Sequence, residues 1–228
     1  MYDIILWDVD GTLLDFELAE KTAIRHLFEE FQMGECSDRM IAQYSKINAG
    51  YWERLERGEL TKPEVLVNRF VDFFTQIGRD PELAVPFNRR YQSELGETAV
   101  YSLHGKEVVR ALKGITKQYG VTNGTIEAQN KKLRNSGLIE LLDDVFISDE
   151  IGIEKPKKGF FEEVFKKIGT SEVTRMLIVG DSLTSDIQGG NNVGIDTCWY
   201  NPKGKTNDKG VHVQYEIRDL AEIPDLIR

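Results

Sequence analysis

The chain has 228 residues, 40% hydrophobic and 29% charged, with only 6 prolines and 20 glycines, a composition that excludes collagen-like or intrinsically disordered chains. Its length exceeds one average domain without reaching two, which fits a large domain or one carrying an insertion. With 29 Lys and Arg against 38 Asp and Glu the net charge is -9, so the overall field repels nucleic-acid polymers and anionic membrane surfaces; a small anionic substrate needs a cleft that reverses the sign locally.

The first 16 residues contain no basic segment, and Asp3, Asp8 and Asp10 interrupt them before the apolar core of a secretion signal could form. No uncharged stretch approaches the roughly 20 residues of a bilayer span. Cys36 and Cys198 are far apart, outside any C-x-x-C spacing, and read as reduced, packed thiols. The expectation is a cytoplasmic protein, monomeric or weakly homodimeric, with no nucleic-acid polymer and no membrane as partner.

The first element, Ile4–Trp7, is a continuous apolar run that ends in Asp8 and then Asp10-Gly11, the pattern of a buried parallel strand opening into a turn. From 16 to 95 only helix signals follow. Ser37-Asp38 reads as a start, and Thr61-Lys62-Pro63-Glu64 as a capping box followed by Leu66, Phe70, Phe73, Phe74 and Ile77 at helical spacing. Gly34, Gly58, Gly78 and Gly96 read as stops. About four helices are expected there. From about Val108 onward helices and strands alternate, with strands at 120–122, 145–147, 176–179 and 197–200 and helices such as 125–136 and 157–168. This predicts an α/β fold: a doubly wound parallel sheet, a Rossmann-like core made of 1–15 and 96–228, with an inserted helical domain at 16–95. Ligands of such sheets sit beyond the carboxyl ends of the strands, where Asp8, Thr122, Ser148 and Asp181 fall.

Asp8 and Asp10 are two apart at a strand end, so extended geometry would point both carboxylates to one side. A stably ionised pair there needs a cation or donors, although a plain Asp-Gly turn with one capping aspartate accounts for the pair equally well. Asp181 is a second strand-end acid on the same edge. Converging carboxylates without a cation are costly, and oxygen-only ligands suit a hard divalent ion such as Mg²⁺. Thr122-Asn123-Gly124-Thr125 ends a strand and opens a helix, which makes it an anion site, and Lys155 is placed to supply positive charge opposite the acids.

These residues resemble the haloacid dehalogenase-like hydrolase superfamily in four ordered segments: Asp8-Val9-Asp10-Gly11-Thr12, Thr122-Asn123, Lys155-Pro156, and Gly180-Asp181 with Asp186. The resemblance implies that Asp8 is a nucleophile forming an aspartyl-phosphate. Asp10 would protonate the leaving oxygen and then activate water. Thr122, Asn123 and Lys155 would bind the phosphoryl group, Mg²⁺ would rest on Asp8, Asp181 and the Asp10 backbone carbonyl, and Asp186 would support them from behind. On this reading the Asp10 carboxyl stands beside negative charge, which keeps its first proton in place. The helical insertion resembles a cap that closes over such a site and reads the leaving group. Tyr44, Tyr51 and Trp52 could stack on a planar substrate there, but aromatics at this spacing are more often cap core.

Segments 21–28, 52–60 and 180–202 are further similar to bacterial pyrimidine nucleotide 5′-nucleotidases of this superfamily, which implies a small phosphomonoester substrate of the pyrimidine nucleoside monophosphate class. The alternatives are a phosphatase for sugar phosphates or other small phosphometabolites, a phosphomutase, a haloacid dehalogenase, and a non-catalytic phosphometabolite sensor. The chain departs from many relatives at Trp7, a position often held by phenylalanine, and at His104-Gly105, where a Pro-Gly turn is frequent. His104, His26 and His212 are expected to be solvated.

Overall fold

The computed structural model describes residues 2–170 and 172–227, and the chain divides into two compact units, Met1–Phe16 with Ala99–Arg228, and Glu17–Thr98. Strand β1 (Ile4–Trp7) opens the first unit. Four helices then follow before the first unit resumes: α1 (Phe16–Glu30), α2 (Asp38–Glu56), α3 (Lys62–Gln76) and α4 (Ala84–Leu95). Their starts follow the sequence signals. The Ser37 side chain accepts from the Met40 N–H at the head of α2, and Glu64 reaches back to the Thr61 N–H at 2.7 Å at the head of α3, with Pro63 in the first turn. The interior of this unit is aromatic: Tyr44 stacks on Phe70, and Phe28, Phe73, Phe74, Phe87 and Tyr91 complete a fully buried set of touching rings. Tyr44 is therefore core. Tyr51 instead donates its hydroxyl to Asp72 at 2.7 Å.

The first unit resumes with α5 (Gly105–Leu112), β2 (Lys117–Thr122), α6 (Ile126–Ser136), α7 (Leu138–Leu141), β3 (Asp144–Ile147), α8 (Ser148–Ile151) and α9 (Lys158–Ile168). It continues through β4 (Met176–Gly180), a π-helical turn (Leu183–Ile187), α10 (Gln188–Val193), β5 (Asp196–Tyr200), β6 (Tyr215–Ile217) and α11 (Ile223–Ile227). The six strands lie in the order β3-β2-β1-β4-β5-β6, every pairing parallel. Alternate strand residues feed two cores. Ile5, Trp7, Leu177 and Val179 pack with α5, α6 and α11, while Leu6, Val121, Met176 and Ile178 pack with Phe160, Phe161 and Val164 of α9. Burial of both faces is why these strands appear as unbroken apolar runs. The edge strand β6 escaped the sequence reading because Tyr215-Glu216-Ile217 is three residues long and polar at its centre.

Trp7 has a specific partner in this core. Its indole N–H donates to Gln118 Oε1 at 3.1 Å, and the Gln118 amide in turn donates to the Val109 carbonyl at 2.9 Å, so the one polar atom of a fully buried ring is satisfied. Cys36 and Cys198 are buried and unpaired. Among the described residues no helix is long and apolar enough to cross a membrane. Strand order reverses between β1 and β4, so the crevice beyond their carboxyl ends is the topological switch point of the sheet.

Candidate active site

Asp8 follows the last residue of β1, and its N–H extends the ladder by donating to the Val179 carbonyl at 2.9 Å. Its buried Oδ1 accepts from Lys155 Nζ at 2.8 Å, whereas Oδ2 has no hydrogen-bond partner among the described residues. Burial, with Asp186 next, pushes the Asp8 carboxyl well above the ordinary carboxylate range, against the pull of Lys155.

Lys155 is the cation at the centre. Only 1% exposed, it donates to Asp8 Oδ1 at 2.8 Å, Asp186 Oδ1 at 2.7 Å and the Val121 carbonyl at 2.7 Å, so all its ammonium hydrogens have acceptors. Burial alone would lower its pKa, but Asp186 and Asp8 outweigh burial and hold it above the usual value. Its backbone is fastened by Asn123, whose Nδ2 donates to the Lys155 carbonyl and whose Oδ1 accepts the Lys155 N–H, both at 2.9 Å. The Asn123 side chain thus positions Lys155. The Lys155-Pro156 bond is cis. Thr122, 1% exposed at the end of β2, accepts the Gly124 N–H on its hydroxyl at 3.2 Å.

Asp186 lies in the π-helical turn with both oxygens occupied, Oδ1 by Lys155 and Oδ2 by the Ser182 N–H at 3.1 Å. It approaches the end of β4 so closely that a Cβ on Gly180 would lie 2.2 Å from its Oδ2, which is why a glycine stands there. Asp181 meets the first loop in the same way: a Cβ on Gly11, at φ +91°, would lie 2.9 Å from its carboxylate. The Asp181 carbonyl is pinned by the Trp199 indole N–H at 3.0 Å. Burial, then Asp186, pushes the Asp181 carboxyl up to about 7.

Oxygen atoms of Asp8, Asp181 and Asp186 all lie within 4.8 Å of one another. Lys155 pairs with two of these three acids and Lys205 draws only on Asp181, so a dication would offset the carboxylate charge that remains. The donor set fits a hard divalent cation. All ligand atoms are oxygens, Asp8 Oδ2 has no partner among the described residues, and Asp186, whose oxygens are both taken, is left to hold Lys155 and the loop.

The Asp10 carboxylate has partners other than Lys155. Its Oδ2 accepts from Gln129 Nε2 at 2.6 Å and its Oδ1 pairs with the Lys132 ammonium, both partners on α6 and both 1% exposed. The sequence reading set the Asp10 carboxyl beside negative charge; the structure adds a cation to it, so that each acid of the Asp8-Asp10 pair has its own buried lysine. The chain leaves β1 through a tight loop closed by Gly11 N–H to the Leu14 carbonyl and Leu14 N–H to the Val9 carbonyl, each 2.8 Å. Gln129 and Lys132 were missed because α6 was read only as a helix. The available signal was their place on its buried stripe with Ala128 and Leu133. Two histidines expected in solvent also have partners, His104 on Asp219 and His26 on Glu94, each at 2.7 Å.

Comparison with known proteins places the chain among the hydrolases. Residues 2–194 match the model of the haloacid dehalogenase-like hydrolases, and the chain belongs to that family. It is 39% identical to the HAD-hydrolase YfnB of Bacillus subtilis over 97% of this chain and 94% of the relative. It is 32% identical to the pyrimidine 5′-nucleotidase PynA of Streptococcus pneumoniae over 99% and 95%. The crystal structure of YfnB bound to magnesium superposes with a TM-score of 0.93 at 38% identity, covering 100% of this chain and 99% of that one.

Proposed function

We propose that the protein is a Mg²⁺-dependent phosphomonoesterase that hydrolyses nucleoside monophosphates, pyrimidine 5′-nucleotides foremost, through an aspartyl-phosphate on Asp8. The observation that carries this reading is the state of the Asp8 carboxylate, which is grouped with Asp181 and Asp186: one oxygen is anchored by Lys155, and the other is buried without a partner among the described residues. Similarity to PynA, a pyrimidine 5′-nucleotidase, supports the substrate class. The magnesium in the YfnB crystal structure supports the metal.

Mg²⁺ held by Asp8, Asp181 and the Asp10 backbone carbonyl would screen the repulsion between a carboxylate nucleophile and an anionic phosphoryl group. An Asp8 oxygen attacks phosphorus as the bond to the leaving oxygen breaks, and Asp10 delivers a proton to that oxygen. Asp10 then takes a proton from the water that attacks the aspartyl-phosphate, which returns the Asp8 carboxylate and frees phosphate. Lys155 is placed to follow the negative charge as it passes from the Asp8 oxygen to the phosphoryl oxygens, with the Thr122 hydroxyl and the amides after β2 as further donors. Asn123 and Asp186 hold Lys155 in place. The same reading takes 1–15 and 96–228 as the catalytic core and 16–95 as a cap that selects the leaving group. It also takes the protein as cytoplasmic and monomeric or weakly dimeric, in keeping with its two unpaired, buried cysteines.

The test is phosphate release from a panel of purine and pyrimidine nucleoside monophosphates and sugar phosphates, with Mg²⁺ and with chelator. Turnover led by pyrimidine nucleotides and silenced by chelator is expected. Preference for a sugar phosphate would overturn the substrate class, and no release from any compound would overturn the activity.

A further inference from the structure

We infer that Gln129 and Lys132 are positioning residues that set the orientation of the Asp10 carboxyl for its work on the leaving oxygen. The inference rests on the phosphomonoesterase reading above. The two side chains project from one face of α6, three residues apart, and each takes a different oxygen of Asp10: Gln129 Nε2 on Oδ2 at 2.6 Å, Lys132 Nζ on Oδ1. Two donors on two oxygens fix both the torsion and the tilt of a carboxyl group, which one ion pair alone would leave free to swing.

The surroundings are built around this contact. Lys132 is 1% exposed, and its ammonium also lies over the Phe16 ring, 5.1 Å from the centroid, so its own position is restrained. Gln129 reaches Asp10 across Gly124, where an added Cβ would stand 2.1 Å from Gln129 Nε2. The absence of a side chain at Gly124 is what lets the amide through. Gln129 keeps this pose although its buried Oε1 has no partner among the described residues, a burden that a side chain chosen only for packing would avoid.

Orientation of a general acid matters most when the leaving group is a poor one. A nucleoside alkoxide needs its proton as the P–O bond breaks, whereas p-nitrophenolate departs without one. The experiment compares kcat/KM of wild type, Lys132→Met, Lys132→Arg and Gln129→Met on uridine 5′-monophosphate and p-nitrophenyl phosphate with Mg²⁺, with thermal unfolding as the check on folding. The parameter kcat/KM stops at departure of the leaving group, so later hydrolysis of the aspartyl-phosphate does not enter. Lys132→Met is expected to lose about 10²-fold or more on the nucleotide, the scale of general-acid catalysis, and under about 10-fold on p-nitrophenyl phosphate. Lys132→Arg should recover most of the nucleotide activity. Gln129→Met, which keeps the volume and removes the donor, should show the same selectivity with a smaller loss, and it carries the test if Lys132→Met does not fold. Equal losses on the two substrates, or no rescue by arginine, would overturn the positioning role while leaving the activity standing. Wild-type silence on every phosphomonoester would overturn the activity and this inference with it.

Discussion

Replacing Lys155 by methionine probes the electrostatic centre of the fold directly. The ammonium is 1% exposed, with acceptors at 2.8, 2.7 and 2.7 Å on Asp8, Val121 and Asp186. Methionine preserves much of the length and removes the charge, leaving two carboxylates buried together without a cation. Removal of one partner from a buried ion pair costs about 3–5 kcal/mol. For a chain of this size each kcal/mol shifts the melting temperature by roughly 2–4 °C, so the drop should be of order 6–20 °C. Thermal unfolding followed by circular dichroism in metal-free buffer measures it. The double variant Lys155→Met/Asp186→Asn removes one of the stranded charges and should recover part of the loss. Mg²⁺ should also raise the melting point of the single variant more than that of wild type. A drop under about 2 °C, or a double variant no more stable than the single one, would refute the compensation argument.

Three other perturbations give separate checks. The Asp181 carboxyl has a folded pKa of about 7 against an ordinary value of 3.8, so the metal-free folded state keeps a proton that the unfolded chain releases between those values, and stability is lost as pH rises through that window. Wild type measured against Asp181→Asn in urea should therefore lose ground from about pH 5 to about pH 8 without metal; a difference that is flat or grows with pH would count against it. Gly180→Ala puts a Cβ 2.2 Å from Asp186 Oδ2 and should cost about 1–3 kcal/mol while weakening Mg²⁺ binding, measured by denaturant unfolding and calorimetry. Trp7→Phe strips Gln118 Oε1 of its indole donor and should cost about 1–3 kcal/mol; a variant as stable as wild type would show that this hydrogen bond contributes nothing.

The sheet could be read in advance because its parallel strands are buried on both faces, so Ile4–Trp7 and Met176–Gly180 stand out as apolar runs without polar alternation. Each of these runs stops at an acid, and parallel registry brings those stops to one edge. That is how Asp8 and Asp181, far apart in the chain, could be expected near each other. Partners within the site are harder to read, because they depend on which donor a carboxylate meets. Lys132 looks like any solvated lysine in a polar helix; only its phase with Ala128 and Leu133 marks it as inward-facing, while Ile126 on the same helix is 41% exposed. Asn123 was legible as a residue at the anion site, but its grip on the Lys155 backbone depends on the loop after α8 folding back. The His104-Asp219 contact joins residues 115 apart, and no local pattern announces it.

The most direct test of the account is to catch the phosphoryl group on the protein. Enzyme turning over a nucleoside monophosphate with Mg²⁺ would be quenched in acid, digested and examined by mass spectrometry for the peptide that carries Asp8. A phosphoryl adduct on Asp8 in wild type, absent from Asp8→Asn along with turnover, is the predicted result; full turnover by Asp8→Asn, or an adduct on a different residue, would contradict it.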